Sequence, residues 1–359
     1  MNLVFNHINS DNQLEDIRKE WKLLDKQTQH HSICSSYEWV YNWWTVFKNV
    51  ESNNIGYNKE LFIVCAYDDA RLVLVCPLMK LNRNKFGFRV SFIEFVGQQW
   101  SGSYYDIVAD VKYKDKFSEI QDYLHNNLKF DILFLRYIPE STSHFKNQNL
   151  FPFVKCFEVN VSDYESFEAY SKSNYSKGHK QNLRTGRNRA IKNKDILEEV
   201  VDTITENNFK SVILLSKSKL VDSKSWLYGD ENKLDFYRRL YAQFKSNVVL
   251  IKVNGKEVAY RTNIIFNNIK LCLDASYDRN WPRYELGILS VNKNIEDSFS
   301  KGLLIHSLGP GLDPYKLKFT KSVKNLYLLI SRGNTIKSFL MTPIFKHIIK
   351  NENIIARFS

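Results

Sequence analysis

Two segments of this sequence have the pattern of a strand, a tight turn and a second strand. One is FIVCAYDDARLVLVCPLM, which turns at Asp68 and Asp69; the other is VLIKVNGKEVAYRTNII, which turns at Asn254 and Gly255. Asn-Gly between two apolar runs is the strongest short-range signal for a β-hairpin. After each hairpin come a further strand pattern, a loop, a helix pattern and an apolar strand. The chain is therefore predicted to contain a duplicated α/β unit.

The two copies differ where the helix begins. The second copy has Leu286, Gly287 and Ile288 at this point, whereas the first has ADVKYKDK and no glycine. A helix start offers unpaired N–H groups and the positive end of the helix dipole, and glycine lets a ligand approach the backbone closely. The G-x-G-x-x-G and G-x-x-x-x-G-K-[ST] patterns are absent. Taken alone, this helix start has the pattern of an ordinary helix cap, and a site for a phosphate-bearing ligand is the alternative.

Length and composition narrow the class of protein. A chain of 359 residues is expected to hold two domains of ordinary size or one large domain, and it has no run of 18 apolar residues. The N-terminus has no basic region followed by an apolar run, so no signal peptide is predicted. The five cysteines include no CxxC pair, which argues against a disulfide framework and a zinc site. These features predict a protein of the reducing cytoplasm without a metal.

The net charge of +12 is concentrated in one segment. Residues 172–194 contain eight Lys and Arg and no acid, and Lys177, Lys180, Arg184 and Arg187 have the spacing of one helical face. Three interpretations are open: a solvated linker helix, a surface for donor phosphates or an acidic carrier protein, and a surface for an aminoacyl-tRNA. The patch is small and no known DNA-binding motif accompanies it, so a DNA partner is not predicted.

An ordered set of motifs extends this picture to most of the chain. In sequence order the motifs are SSYEWVYNWWTVF, CPLM, YYDIVAD, SNYSKGHKQNLRTGRNR, LGILSVNKNIEDSFSKGL and DPYKLKF. Together, over roughly residues 15–320, they resemble the Gcn5-related N-acetyltransferase (GNAT) superfamily, and within it the duplicated cellulose-biosynthesis-like or FemAB-like acyltransferases.

The resemblance implies an α/β fold of two tandem GNAT-like domains with mixed, central twisted sheets flanked by helices. Residues 1–160 would form an N-terminal domain with a degenerate donor site, on the acceptor side of a cleft between the domains. Residues 161–334 would form the acyl-donor domain. Residues 335–359 form an amphipathic helix pattern with interspersed basic residues, for which packing on a domain and contact with a membrane surface are both open.

The same resemblance implies acyl-CoA, carrying an acetyl or a longer acyl group, as co-substrate. The residues expected to bind its pyrophosphate are Arg283, Leu286, Gly287, Ile288 and Leu289. This loop departs from the superfamily pattern, because Arg283 precedes Gly287 by four residues and Leu289 replaces a small residue. A donor carried by an acyl carrier protein or by a tRNA therefore stays open.

Acyl transfer to an amine needs a base for the ammonium proton, and a thiolate leaving group needs an acid. The catalytic candidates are Asp106, His306 and Tyr315, and each has an alternative structural role as loop cap, core histidine or packing residue. The candidates for substrate contact are Tyr37, Trp44, Tyr105, Asp274, Tyr277 and Lys316. Two further aromatic residues of the N-terminal helix, Trp39 and Trp43, are predicted to be core.

The predicted function is that of an N-acyltransferase. By the resemblance alone, the acceptor amine would be an amino sugar or another small amine in surface polysaccharide or envelope biosynthesis. An aminoacyl-tRNA-dependent ligase of the FemAB type and a non-catalytic binding protein with this fold are the alternatives.

Overall fold

A computed structural model describes residues 3–85, 87–100, 103–193, 196–218, 226–281 and 285–350. Its helices are α1 (Asp11–Asp16), α2 (Arg18–Thr28), α3 (Tyr37–Phe47), α4 (Phe117–Asn127), α5 (Phe167–Asn174), α6 (Lys177–Asn193), α7 (Glu206–Ser216), α8 (Glu231–Gln243), α9 (Leu286–Ser300) and α10 (Ile336–Lys350). Its strands are β1 (Val4–Ile8), β2 (Tyr57–Leu61), β3 (Ile63–Asp68), β4 (Arg71–Cys76), β5 (Leu78–Lys85), β6 (Phe88–Phe95), β7 (Val108–Ala109), β8 (Ile132–Pro139), β9 (Leu150–Asn160), β10 (Ile196–Val201), β11 (Lys245–Val253), β12 (Lys256–Phe266), β13 (Ile269–Tyr277), β14 (Ile305–Pro310) and β15 (Val323–Arg332).

The chain divides into two compact units. Unit 1 comprises residues 1–154 and 325–359, and unit 2 comprises residues 155–324. The domain limits expected from the sequence, at residues 160 and 334, stay predictions.

Unit 2 is built on strands in the order β10, β11, β12, β13, β14 and β9. The predicted hairpin joins β11 to β12, and Asn254 and Gly255 both have positive φ, at 51° and 74°. This is the backbone conformation that a tight type I′ turn requires. β13 pairs antiparallel with β12 and parallel with β14, and α9 is the crossover between the two parallel strands.

Unit 1 repeats this order with one change. Its hairpin strands are broken at Phe62 and Pro77, so that β3 and β4 lie in a sheet ordered β1, β3, β4 and β7. The other halves, β2 and β5, lie in a sheet ordered β15, β8, β6, β5 and β2. β6 pairs antiparallel with β5 and parallel with β8, and α4 is the crossover. The duplicated order expected from the sequence is confirmed.

The aromatic helix α3 is part of the unit 1 core. Trp39 and Trp43 are buried, as predicted, at 1% and 0% exposure. The helix start follows Ser36, but the Ser36 hydroxyl donates to the Ile33 carbonyl. The Tyr37 amide is capped instead by the Asp25 carboxylate, at 3.1 Å. Tertiary structure thus supplies a helix cap that the local sequence does not.

Within the segment predicted as a C-terminal helix, α10 extends over Ile336–Lys350. Residues 351–359 lie outside the described residues. Within the described part of the chain, no helix combines the length and the apolar character needed to cross a membrane.

Candidate active site

The parallel strands β13 and β14 pair only over their first residues. Their register runs from Ile269 opposite Ile305 to Leu271 opposite Ser307, and both strands continue beyond this point. Parallel strands that stop pairing expose backbone donors and acceptors on both sides of the gap. The gap is therefore a site where an extended ligand can bind to the backbone of unit 2.

A β-bulge lies on β13 at the point where the strands separate. Thr262 of β12 is opposite Asp274, and Asn263 is opposite Cys272, so Leu273 is an extra residue in the ladder. Bulges bend a strand and are frequent beside active sites. The bulge turns β13 away from β14 and frees the backbone of Leu273 from the β12 ladder.

The start of α9 faces the end of β13. Glu285, the residue before the helix, has φ +50°, a left-handed conformation that is uncommon for any residue other than glycine, and its side chain makes no capping hydrogen bond. The Glu285 carbonyl accepts from the amides of Ile288 and Leu289, at 2.8 and 2.9 Å. Leu286 and Gly287 occupy the first two helical positions, where amides have no acceptor within the helix.

Gly287, in the first turn of α9, lies against the ring of Tyr277. A Cβ built there would meet two ring carbons of Tyr277 at 3.4 Å, which is ordinary van der Waals contact. The fold therefore has room for a small side chain at this position. Leu286 and Leu289 are buried, so only their backbone can contact a ligand. Arg283, the predicted charged partner, lies outside the described residues.

Tyr315 lies beside the buried guanidinium of Arg261. Arg261 is hydrogen-bonded to the Tyr315 phenol, and its Nη1 donates to the Cys272 sulfur at 3.2 Å. Burial raises the pKa of Tyr315, and the Arg261 charge opposes that rise. Because Cys272 directly precedes the bulge, this arrangement brings the phenol to the region where β13 and β14 separate. The structure thus associates Tyr315 with the site, and its catalytic role stays a prediction.

Lys316 is held by the turn that follows β14. Its Nζ lies 3.2, 2.9 and 3.1 Å from the carbonyl oxygens of Gly309, Pro310 and Gly311, and 3.0 Å from Asp313. An ammonium group has three N–H donors, and these acceptors use them all. The contacts are those of a structural residue, and the contact of Lys316 with substrate stays a prediction.

His306 lies at the paired end of β14, opposite Lys270 of β13. It is fully buried, and its Nδ1 is 2.8 Å from the Ser298 hydroxyl. Burial, with the charges of Lys270 and Arg261, lowers the pKa of His306 well below its ordinary value. These are the properties of a neutral core histidine, which was the structural alternative at this position. Its role as a base stays a prediction.

Asp274 and Tyr277 lie on the part of β13 that has left β14. Asp274 is buried and accepts a hydrogen bond from the Tyr260 hydroxyl. Tyr277 is 42% exposed and lies against Gly287. The structure therefore brings Tyr277 to the helix start, while the Asp274 side chain is buried against Tyr260.

The remaining candidates belong to unit 1. Burial raises the pKa of Asp106 to about 7, although hydrogen bonds from Thr142 and the Ile107 amide lower it. Such a carboxyl group can exchange a proton near neutral pH, as a general base must. The neighbouring Tyr105 is fully buried, and its hydroxyl accepts from Trp39 Nε1 at 3.2 Å.

The last two predicted substrate contacts, Tyr37 and Trp44, are core residues of unit 1. Tyr37 is 2% exposed and stacks on Tyr41 at a centroid distance of 5.5 Å. Trp44 is 7% exposed, and its Nε1 donates to Asp11 at 2.8 Å. These two rings pack within the protein, and a contact of either ring with substrate stays a prediction.

The basic segment forms α6, which packs against α9 through buried residues such as Leu183. Arg187 makes a bidentate ion pair with Glu198 of β10, at 2.7 and 2.9 Å. Lys177, Lys180 and Arg184 are exposed. One residue of the predicted basic face, Arg187, therefore makes an ion pair within unit 2. The other three form a solvated cationic surface.

Sequence patterns did not indicate Arg261, Leu273 or Glu285. Arg261 occurs in an ordinary strand pattern, and a bulge leaves no mark in an apolar run. A left-handed glutamate has no sequence signal, because the conformation is imposed by the chain on either side.

Comparisons with known proteins agree with this geometry. Residues 177–317 match the family model described as an acetyltransferase (GNAT) domain. Among solved structures, FemX has a TM-score of 0.62 at 8% identity, covering 97% of this chain and 100% of that chain. A conserved protein of unknown function from Bacteroides thetaiotaomicron has a TM-score of 0.56 at 12% identity, covering 91% and 100%.

A third structure is the C-terminal domain of an Agrobacterium fabrum protein described as a lysylphosphatidylglycerol synthetase. Its TM-score is 0.54 at 11% identity, with 92% of this chain and 96% of that chain covered. A comparison with curated protein sequences gives no match. At these identities the likeness concerns the fold alone, which is α/β with two units of similar element order. The chain carries a GNAT-type transferase domain in residues 177–317.

Proposed function

We propose that the protein is an N-acyltransferase that moves an acyl group from a thioester to an amine. The observation that carries the proposal is the gap between β13 and β14 beside the start of α9. A pantetheine arm is an extended chain with amide groups, which can pair with strand backbone as a further strand would. The amides of Leu286 and Gly287 suit the pyrophosphate at the end of that arm.

The residues around this gap support the chemistry of the transfer. The amine nitrogen attacks the thioester carbonyl carbon, the C–S bond breaks, and the thiolate takes a proton. Tyr315 is the candidate for supplying that proton, since Arg261 holds its phenol beside β13. The backbone of Leu273, at the bulge, is the candidate for holding the carbonyl oxygen.

The amine must lose a proton before or during the attack. Asp106 is proposed as the base from the family resemblance, and its pKa, raised by burial to about 7, is compatible with accepting a proton near neutral pH. An amino sugar of surface polysaccharide or envelope biosynthesis is proposed as acceptor from the family resemblance alone. An acyl-CoA is the proposed donor, with a carrier-bound thioester as the alternative.

The test is calorimetric titration with acetyl-CoA and with a longer acyl-CoA. Wild-type protein is expected to bind at least one of them saturably, and Gly287→Trp is expected to abolish that binding. Ser118→Trp is the matched control: Ser118 is the second residue of α4, as Gly287 is of α9, and it is exposed. Loss of binding in both variants, or in neither, would contradict the proposed donor site.

The exposed cations of α6 favour a second candidate, an aminoacyl-tRNA donor. Lys177, Lys180 and Arg184 lie on one helix that packs against α9. Under this candidate, tRNA binds with a strong salt dependence, and replacing all three residues by Glu weakens it at least tenfold. Under the acyl-CoA proposal the same variant retains a donor site at Gly287. A protein that binds neither donor would be a non-catalytic form of the fold.

A further inference from the structure

The C-terminal helix α10 has a second apolar surface that faces away from unit 1. Four of its residues, spaced as one helical stripe, are exposed to 89, 59, 70 and 45%: Ile336, Phe339, Leu340 and Ile344. This stripe is called the outer face of α10 below. A helix that only packed on the domain would carry polar residues here.

The opposite side of α10 packs on unit 1 and fixes the orientation of the outer face. Met341, Phe345 and Ile349 are buried. Phe345 contacts Phe92 of β6 at a ring-centroid distance of 5.4 Å. Because the inner side of α10 packs on unit 1, the outer face points away from it.

The tip of the β5–β6 hairpin, where β6 begins, extends this apolar surface. Phe88 is 60% exposed and has the same strand parity as Phe92, so both project from the sheet face on which α10 lies. Lys337, in the first turn of α10, donates to the Arg89 carbonyl at 3.0 Å. The tip that bears Phe88 thus lies next to the start of the outer face.

The charges around the outer face are positive. Residues 336–350 contain Lys337, Lys346 and Lys350 and no acid. The Arg332 guanidinium lies 4.1 Å from the centroid of the Phe339 ring, at the border of the stripe. Apolar side chains with cations beside them match a bilayer surface, where acyl chains lie beneath anionic headgroups.

A second copy of this chain is a poorer occupant. Each copy carries a net charge of +12, and symmetric pairing would bring the same cations together. A lipid surface with anionic headgroups supplies the opposite charge and the apolar layer at once.

We propose that the outer face of α10 binds the surface of an anionic lipid bilayer. The helix would lie in the plane of the interface, with its inner side still packed on unit 1. A helix of 15 residues in this position anchors the protein without crossing the bilayer. The proposal is independent of which donor unit 2 takes.

The test is flotation of the full chain with two kinds of vesicle, phosphatidylcholine alone and phosphatidylcholine with phosphatidylglycerol. Binding is expected to the anionic vesicles and to decrease with salt. The double variant Ile336→Ser/Leu340→Ser is expected to bind at least tenfold more weakly. Lys337→Gln/Lys346→Gln is expected to lose about fivefold for each lysine and to flatten the salt dependence.

The matched control is Leu197→Ser/Leu214→Ser, which removes two leucines exposed to 54 and 65% from unit 2. It is expected to bind as wild type does. Equal binding by the α10 variant and wild type would overturn the proposal, as would equal binding to both kinds of vesicle. A chain that ignores vesicles and is a dimer, made monomeric by the α10 variant, would assign the outer face to self-association instead.

Discussion

Each unit contains one pair of parallel strands that separate after a few residues, and the two units differ in what lies beyond the last paired residues. In unit 1, β6 and β8 pair only at Phe92 and Ile93, and in unit 2, β13 and β14 pair only from Ile269 to Leu271. In unit 1 the buried amide of Gln98 bonds to β8: its Nε2 donates to the Phe134 carbonyl, and its Oε1 accepts from the Arg136 amide. In unit 2 the bulge at Leu273 follows the last pair. The same topology thus produces a gap twice, and one side chain supplies the missing strand contacts in unit 1.

The crossover helices show a second difference. α4 buries the apolar residues Phe117, Ile120 and Leu124. α9 also buries polar residues: Ser290, Asn292, Asn294, Asp297 and Ser298. Hydrogen bonds are directional, whereas apolar contacts allow a helix to rotate slightly. The helix that begins at the proposed donor site is the one whose orientation is fixed by polar contacts.

The largest predicted effect concerns that polar network. Asp297 lies 2.6 Å from Lys270 Nζ and accepts from Asn247 at 2.8 Å, all of them buried. Asp297→Ala leaves the Lys270 ammonium without its carboxylate, which costs about 3–5 kcal/mol when one partner of a buried pair is removed. Urea unfolding followed by circular dichroism measures this change.

The double variant Lys270→Met/Asp297→Leu is the control for that prediction. It removes both charges, so a large part of the lost stability is expected to return. A cost below about 1 kcal/mol for Asp297→Ala would mean that the network does not hold α9.

The second prediction tests the bridge in unit 1. Gln98→Leu keeps the volume but leaves the Phe134 carbonyl and the Arg136 amide without this partner, at a cost of about 2–3 kcal/mol. Gln121→Leu, at a half-buried position on α4, is expected to change stability by less than about 0.5 kcal/mol. Denaturant unfolding compares the two. Equal effects would show that Gln98 does not supply the contacts that β6 and β8 lack.

These two predictions rest on features that the sequence did not reveal. The hairpin at Asn254 and Gly255 was predictable because the turn residues and the apolar alternation are local. The bridge by Gln98 and the bulge at Leu273 were not, because both depend on which strands become neighbours. A glutamine or a leucine in an apolar stretch carries no sign of either role.

The candidate site likewise contains residues with a local sequence signal and residues whose contacts depend on tertiary structure. Gly287 was predicted because glycine at a helix start is visible in sequence; the structure places it beside Tyr277, and its role in donor binding stays a prediction. Lys316 was predicted to contact substrate because a lysine that follows the last strand can reach a phosphate or a carboxylate, and that contact stays a prediction. Its ammonium instead binds the carbonyls of Gly309, Pro310 and Gly311, since the chain turns back around it. That turn is a tertiary feature without a local signal.

The third prediction concerns the pH dependence of the two units. The pKa of His306 in unit 2 is lowered well below 6.5, first by burial and then by Lys270 and Arg261. The unfolded chain takes up this proton below about pH 6.5 and the folded chain does not, so stability falls by up to about 1.4 kcal/mol per pH unit as the pH falls. His306→Asn is expected to remove that slope.

His144 is the counterpart in unit 1. Burial lowers its pKa to about 4, so it gives a slope of the same sign between about pH 6.5 and 4. His144→Asn should reduce the pH dependence of unit 1, and His306→Asn that of unit 2, when unfolding is followed by hydrogen exchange in each unit. His7 in unit 1 and His179 in unit 2, whose pKa values are also lowered by burial, are expected to retain the rest of each slope. Loss of stability as the pH rises over this range would contradict both assignments.

The smallest predicted effect separates the helix starts of the two units. Gly287→Ala adds a Cβ that only touches Tyr277, and alanine is the better helix former, so stability is expected to rise by about 0.5 kcal/mol. Ser118→Ala in α4 is expected to have an effect near zero, because Ser118 is exposed. Thermal unfolding measures both, and titration with acyl-CoA is expected to show weaker binding for Gly287→Ala alone. Together these two results would indicate that Gly287 serves ligand binding at a cost in stability. If Gly287→Ala instead lowered stability, the fold would require this glycine, and its presence would no longer point to a donor site.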